Sequence, residues 1–177
     1  SFEKNRITSL EVLSRLKDGK HNYINPEYFI HVAEINHTII QLSRQMFEKT
    51  CRFAVDNNIF DRGINDMNIN ISPIQCQDKH LVQDLKKIAA KYGIPFERFH
   101  FEITESRLTD EKAVRETLTK LKENGAKIAL DDFGTGYSNI ASIMLMPIDF
   151  VKIDKSLLWS YASGDNEFLN ELMPMIR

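Results

Sequence analysis

The sequence predicts an α/β protein in which strands and helices alternate and form part of a parallel barrel. Segments with strand spacing and segments with helix spacing follow one another, and each predicted strand has one polar and one mostly aliphatic face. This alternation favours a parallel sheet with right-handed crossovers. Helices cover both faces of an open parallel sheet, so polar strand faces instead favour a barrel, whose interior opens at the C-terminal mouth.

Five strand–helix units are predicted, whereas a complete barrel of this type has eight. Strands are expected at 7–16, 67–72, 99–105, in the run through 128–130, and at 150–154. Helices are expected from 26 to 58 in two pieces broken near Asn36, at 78–92, 110–124 and 138–144, and from about 165. We therefore expect residues 1–177 to be one partial domain that lacks the first strand and about two final units.

The helix boundaries follow from residues with known positional preferences. Asn25 and Pro26 suit the cap and the first position of a helix. Gly93 and Gly125 each follow a run with helical spacing and predict its end.

Composition narrows the classes of function. Charged residues make up 27% and hydrophobic residues 42% of the chain, which is typical of a soluble globular domain. The formal net charge of −2 gives no electrostatic case for binding DNA, RNA or an anionic membrane. Cys51 and Cys76 lack a CxxC spacing, which favours reduced thiols and a cytoplasmic location. The five histidines show no zinc-binding pattern.

The chain is organised around the stretch AKIALDDFGTGYS, residues 126–138. An apolar run leads into Asp131 and Asp132, and a glycine loop follows. Because neighbouring side chains on a strand point to opposite faces, both aspartates can serve one site only where the strand ends and the chain turns. This pattern indicates a metal or phosphate site; the alternative is an aspartate cap over a tight turn.

Polar residues at the other predicted strand ends favour the metal site. They are Glu11, Asn70, Glu102 and Lys152. Four carboxylates in one barrel mouth repel one another unless cations hold them, and Mg²⁺ or Mn²⁺ prefers such oxygen ligands. Two ions would activate water and clamp a phosphoryl group, and a lysine would orient or deprotonate that water. Phosphodiester hydrolysis is the reaction class that this arrangement favours.

Structural explanations compete at several of these positions. Glu11 and Arg15 would pair along one strand face, and Asn70 would cap the turn before Pro73. Glu105 would serve only a helix dipole, and His100 is expected to be a satisfied interior histidine. Lys152 has no such alternative, because a lysine directed into a barrel needs a partner or a catalytic role.

Five segments together resemble the EAL domain, a family of bacterial cyclic di-GMP phosphodiesterases on a modified TIM barrel. They are 11–15 (EVLSR), 70–72 (NIS), 102–106 (EITES), 131–138 (DDFGTGYS) and 152–154 (KID). The resemblance covers nearly the whole chain in the family's order. It implies hydrolysis of cyclic di-GMP to the linear dinucleotide pGpG.

The resemblance also implies roles for individual residues. The ligands of a first Mg²⁺ or Mn²⁺ ion are implied to be Glu11, Asn70, Glu102 and Asp131, and those of a second ion Asp131 and Asp132. Lys152 is implied to assist the attacking water and Arg15 to contact a phosphate, with Asp154 near the site. Glu105 is implied to steady the loop 133–138, which contains Gly134, Thr135 and Gly136 and couples metal binding to contacts in a homodimer.

Two departures from the family pattern set the alternatives. Val12 replaces the alanine of the name motif, and the family's later EGVE glutamate and a following glutamine lie beyond Arg177. We therefore expect activity in a longer protein, which would carry sensory or GGDEF domains, and little in this segment alone. The alternatives are a non-catalytic EAL domain that binds cyclic di-GMP or a protein, and an unrelated phosphate-binding barrel such as an isomerase.

Overall fold

The computed structural model describes residues 6–104, 111–134, 143 and 145–163. The strands are β1 (Ser9–Val12), β2 (Leu16–Lys17), β3 (Tyr23–Ile24), β4 (Asp66–Asn70), β5 (Phe99–Thr104), β6 (Lys127–Phe133) and β7 (Phe150–Ile153). One parallel sheet has the order β1-β4-β5-β6-β7, while β2 and β3 form a separate antiparallel pair. The curled sheet forms a half-barrel, which confirms the predicted partial TIM-type barrel.

Helices connect these strands and cover the outer face of the sheet. They are α1 (Pro26–Ile35), α2 (Ile39–Asp56), α3 (Pro73–Cys76), α4 (Leu81–Lys91), α5 (Glu111–Glu123) and α6 (Lys155–Ala162), with one 3₁₀ turn at Phe96–Arg98. None of the described helices combines the length and the apolar character needed to cross a bilayer.

Strand β5 shows how the alternation of side chains divides the core from the barrel interior. Phe99, Phe101 and Ile103 are buried on the outer face, under the helices. The ring of Phe47 from α2 lies 4.6 Å from that of Phe99 and 6.4 Å from that of Phe101, measured between centroids. The intervening Glu102 points to the other face, so the same strand supplies both core and site.

The beginning of the long helical region is as the sequence predicts. The side chain of Asn25 accepts a hydrogen bond from the backbone N–H of Glu27 at 3.0 Å, and Pro26 occupies the first turn. The predicted break near Asn36 separates α1 from α2. These cap positions depend on local chemistry, which explains why the sequence alone predicts them.

Several boundaries differ from the expectation. The first strand ends at Val12 rather than Leu16, because Leu16 and Lys17 pair instead with the strand at 23–24. Strand β6 continues through Phe133, and α6 follows directly after β7, where no helix is expected from the sequence. The predicted helix at 138–144, apart from residue 143, and the helix from about 165 lie outside the described residues.

The aromatic cluster around β5 gives a direct test of this packing. We expect Phe101→Ala to lower the free energy of unfolding by about 3–5 kcal/mol, since it leaves a cavity among buried rings. The matched control is Phe53→Ala on α2, where the side chain is 55% exposed and the loss should be below about 1 kcal/mol. Urea denaturation of both variants measures the difference, and equal losses would contradict the packing described.

Candidate functional site

The parallel register brings polar side chains together at the carboxyl end of the sheet. Asn70 lies opposite Glu102 on the neighbouring strand, and Thr104 lies opposite Asp131. The Asn70 side-chain amide donates to Glu11 Oε1 at 3.4 Å, which connects the first two strands of the sheet. The structure therefore places these residues in one barrel mouth, as the sequence predicts.

Three carboxylates form the centre of this site. Glu11, Glu102 and Asp131 each offer an oxygen atom, and these atoms lie within 4.8 Å of one another. Their burial differs: Glu11 is exposed, Asp131 is half-buried and Glu102 is fully buried. Burial raises the pKa of Glu102, and the negative charges of Asp131 and Glu11 raise it further, against the opposing effect of Lys152.

Lys152 lies between two of these carboxylates. Its Nζ atom is 3.0 Å from Glu102 Oε2 and 3.1 Å from Asp131 Oδ2. Partial burial lowers the pKa of Lys152, but hydrogen bonds to the two carboxylates outweigh it and leave the pKa above its ordinary value. The side chain is therefore a protonated ammonium that offsets part of the negative charge.

The buried carboxylate also provides a test of whether a cation fits here. Glu102 Oε1 is buried and has no hydrogen-bond partner among the described residues, although a buried carboxylate oxygen normally has one. An oxygen-rich cluster with an unsatisfied buried oxygen suits a hard divalent cation such as Mg²⁺ or Mn²⁺. The residues present thus fit such an ion, and the donor set does not distinguish between the two metals.

Strand β6 has a bulge at the two adjacent aspartates, Asp131 and Asp132. Leu130 lies opposite Val151 and Phe133 lies opposite Ile153, so β6 has one extra residue over this span. Asp132 takes a left-handed backbone conformation, with φ of 54°. The expectation that the strand ends at the aspartates is wrong, because β6 continues across this bulge to Phe133. A bulge of this kind redirects the side chains of the residues within it.

Asp132 is more exposed than Asp131, and partial burial and the charges of neighbouring carboxylates shift its pKa. Partial burial raises the pKa of Asp132, and the nearby charges of Asp131 and Asp154 raise it further. Asp154 itself caps α6: its Oδ1 atom accepts hydrogen bonds from the hydroxyl of Ser156 and from the backbone N–H of Ser156, the latter at 2.7 Å. The hydroxyl bond first, and the backbone bond after it, lower the pKa of Asp154.

The remaining predicted residues have varied surroundings. Arg15 is exposed, its Nη1 donates to the carbonyl of Ser14 at 2.8 Å, and it lines a cavity together with Asn70. Gly134 has φ of 98°, and a Cβ atom there would lie 2.7 Å from Leu157 Cδ2, so only glycine suits the position. Glu105, Thr135 and Gly136 lie outside the described residues.

One structural explanation from the sequence is wrong, and its correction introduces further residues. Ser72, not Asn70, caps the short helix that begins at Pro73. The Ser72 hydroxyl also donates to Glu34 Oε1 at 2.6 Å, and both residues are buried. The signal for Glu34 was a carboxylate within the apolar stripe of α1, next to Ala33.

His100 is an interior histidine, as expected. Its Nδ1 atom lies 3.6 Å from Asp66 Oδ1, and its ring packs edge-on against that of Phe150 at 5.4 Å. Burial lowers the pKa of His100 and outweighs the opposing charge of Asp66.

Comparison with known proteins identifies relatives of the chain. A family model described as the EAL domain matches residues 1–175. The signaling protein YkoW of Bacillus subtilis is 34% identical over 160 residues, which are 89% of this chain and 20% of that protein. The cyclic di-GMP phosphodiesterase PdeF of Escherichia coli is 31% identical over 159 residues, 89% of this chain and 21% of that protein. The chain spans about a fifth of the length of these relatives.

Solved structures agree with the fold. The PaMucR phosphodiesterase, in complex with c-di-GMP, superposes with a TM-score of 0.74 at 28% identity. The match covers 88% of this chain and 64% of that one.

The position of Lys152 predicts a pH-dependent contribution to stability. We expect Lys152→Met to lower the free energy of unfolding by about 2 kcal/mol at pH 8 without metal, a buried-pair loss reduced for partial exposure. Removal of the Lys152 ammonium raises the pKa of Glu102 still further above its ordinary value of 4.5. Between the pKa of Glu102 in the unfolded state and its higher pKa in the folded state, the folded state therefore binds more protons than the unfolded state. Stability of the variant should therefore fall as pH rises, and the loss should be smaller at pH 5.

Urea denaturation in EDTA at pH 5 and pH 8 measures this effect. The matched control is Lys120→Met, which removes an exposed lysine from α5 and should change stability little at either pH. A loss that is equal at both values would contradict the electrostatic role of Lys152.

Proposed function

We propose, from the premise that the chain belongs to the EAL domain family, that it forms the catalytic core of a metal-dependent cyclic di-GMP phosphodiesterase. The observation that carries this proposal is the cluster of Glu11, Glu102 and Asp131, in which one buried oxygen of Glu102 has no hydrogen-bond partner in the part of the chain that the structure describes. The names of the relatives and the ligand of the PaMucR structure support the choice of substrate.

The proposed metal site uses residues from four neighbouring strands. Glu11, Asn70, Glu102 and Asp131 would hold one Mg²⁺ or Mn²⁺ ion, and Asp131 with Asp132 would hold a second. When bound, such ions polarise a phosphoryl oxygen and acidify water. The carboxylates would hold the ions through their oxygen atoms, the ligands that hard divalent cations prefer.

Lys152 would position the water or the phosphoryl oxygen. An ammonium group has three N–H donors, and two of them serve Glu102 and Asp131. The third would donate to an oxygen of the reacting groups. Because the two carboxylates hold the ammonium in place, the donor is oriented before substrate arrives, which reduces the cost of reorganisation in the transition state.

Arg15 and Asp154 would act at the edges of the site. The Arg15 guanidinium, exposed beside the cavity that Asn70 lines, suits a charged hydrogen bond to a phosphate oxygen. Asp154 would influence the site mainly through its charge, which already acts on Asp132.

The proposed reaction is hydrolysis of one phosphodiester. A water oxygen bonds to phosphorus, the bond from phosphorus to one ribose oxygen breaks, and that oxygen receives a proton. One ring opening of cyclic di-GMP in this way gives pGpG. No redox cofactor is needed, because the reaction only transfers a phosphoryl group to water.

We also propose the wider setting of the domain. It would act in the cytoplasm as part of a homodimer, fused to sensory or GGDEF domains, and the glycine loop after β6 would couple metal binding to dimer contacts. Leu145, which follows that loop in sequence and is 64% exposed, would be available to such a contact. Glu105 would steady the loop, as the family resemblance implies.

Metal-dependent hydrolysis is the central prediction. The full-length protein with cyclic di-GMP and Mn²⁺ should release pGpG, measured by chromatography, and EDTA should stop it. We expect Glu11→Gln to lower the rate by about 100-fold or more, because the neutral amide replaces a charged ligand. The matched control is Glu27→Gln, an exposed glutamate at the start of α1, which should keep full activity.

The same experiment separates the enzyme from a non-catalytic receptor. Absence of pGpG together with retained binding of cyclic di-GMP, measured by calorimetry, would overturn the enzyme and support the receptor. If the protein neither hydrolyses nor binds cyclic di-GMP, both the enzyme and the receptor are overturned.

A further inference from the structure

Helix α1 carries a carboxylate on its buried side, close to the end of β4. Glu34 is only 9% exposed, and its Oε1 accepts a hydrogen bond of 2.6 Å from the hydroxyl of Ser72. Burial of a carboxylate is unfavourable unless hydrogen bonds compensate for the lost water. An apolar residue would fill this position on α1 at lower cost, so the contact to Ser72 needs an explanation beyond packing.

Ser72 is the centre of a network that fixes the chain just after the metal-binding strand. Its backbone N–H donates to Gln75 Oε1 at 2.7 Å, and its side chain caps α3. On the opposite side, the N–H of Ile71 donates to the carbonyl oxygen of Glu102 at 2.8 Å. The segment 70–72 is thus tied to β5 by its backbone and to α1 by the Ser72 side chain.

A cavity beside segment 70–72 explains why the hydrogen bond from the Ser72 side chain to α1 is needed. It has a volume of about 210 Å³ and is lined by Glu34, Asn70 and Ser72 among others. Where a cavity adjoins a segment, fewer packing contacts restrain it on that side. The hydrogen bond from Ser72 to Glu34 therefore supplies a restraint that close packing does not.

We infer that Glu34 is a positioning residue for the metal site, acting through Ser72 to fix the direction of Asn70. The inference rests on the proposed function, because Asn70 is there a ligand of the first ion. The Asn70 amide reaches Glu11 at 3.4 Å, a long contact that a small shift of the strand end would lose. Glu34 restrains that end from a different element, helix α1.

Binding of Mn²⁺ to the full-length protein, measured by electron paramagnetic resonance without nucleotide, tests this role. Ser72→Ala and Glu34→Leu should each weaken binding by about 10- to 100-fold, as losses of outer partners of metal ligands do. Glu34→Gln keeps the acceptor oxygen and should stay close to the unmutated affinity. The double variant Ser72→Ala with Glu34→Leu should be no weaker than the worse single variant, because both remove the same restraint.

Hydrogen exchange at the Ile71 amide gives a second readout that does not depend on metal or activity. Ser72→Ala should speed this exchange by about tenfold, the effect of losing one buried hydrogen bond. The control is Thr117→Val, which removes a buried side-chain hydrogen bond of 2.8 Å to the carbonyl of Cys76. It should leave both Mn²⁺ affinity and exchange at Ile71 unchanged.

The outcomes separate this inference from the proposed function. Tight Mn²⁺ binding and slow exchange in Ser72→Ala, or an equal loss in Thr117→Val, would overturn the role of Glu34 while leaving the enzyme intact. Failure of the unmutated protein to bind Mn²⁺ would overturn the proposed metal site. In that case, unchanged exchange at Ile71 in Ser72→Ala would also overturn the restraint itself.

Discussion

The repulsion among carboxylates in one barrel mouth is the constraint on which the site depends. Two unit charges about 4 Å apart interact by about 4 kcal/mol where water is partly excluded. Glu102 is fully buried beside Glu11 and Asp131, so its ionised form needs positive charge nearby. Lys152 provides one such charge, and the unsatisfied oxygen of Glu102 leaves room for the second that a divalent cation would bring.

The alternation of side chains along each strand offsets the cost of this concentrated charge, because the opposite face of the strand is buried and apolar. The same strand that directs Glu102 inward buries Phe101 and Ile103 under the helices. Each parallel neighbour repeats this division, so the apolar outer layer stabilises strands whose inner ends repel one another. Such a concentration of charge would lower stability in exchange for the proposed chemistry, a common conflict between function and stability.

Patterns that are local in sequence predicted much of the fold and the site. Strand alternation placed Glu11, Asn70, Glu102 and Lys152 on one face, and the Asn25 cap followed from short-range chemistry. The bulge at Asp132 was not predictable, because an extra residue is defined only by its partner strand. The contact of Ser72 with Glu34 joins residues 38 apart, so it depends on how α1 packs.

The proposed metal ligands differ in how firmly the fold holds them. Glu102 and Asp131 lie within long central strands and share Lys152, so their directions follow from the sheet itself. Asn70 is the last residue of its strand and borders a cavity, so the sheet restrains it less than it restrains Glu102 and Asp131. A ligand at a strand end would need support from another element, and the buried carboxylate on α1 is placed to give it through Ser72. On the proposed roles, the precision of the site would depend on residues that do not contact the ion.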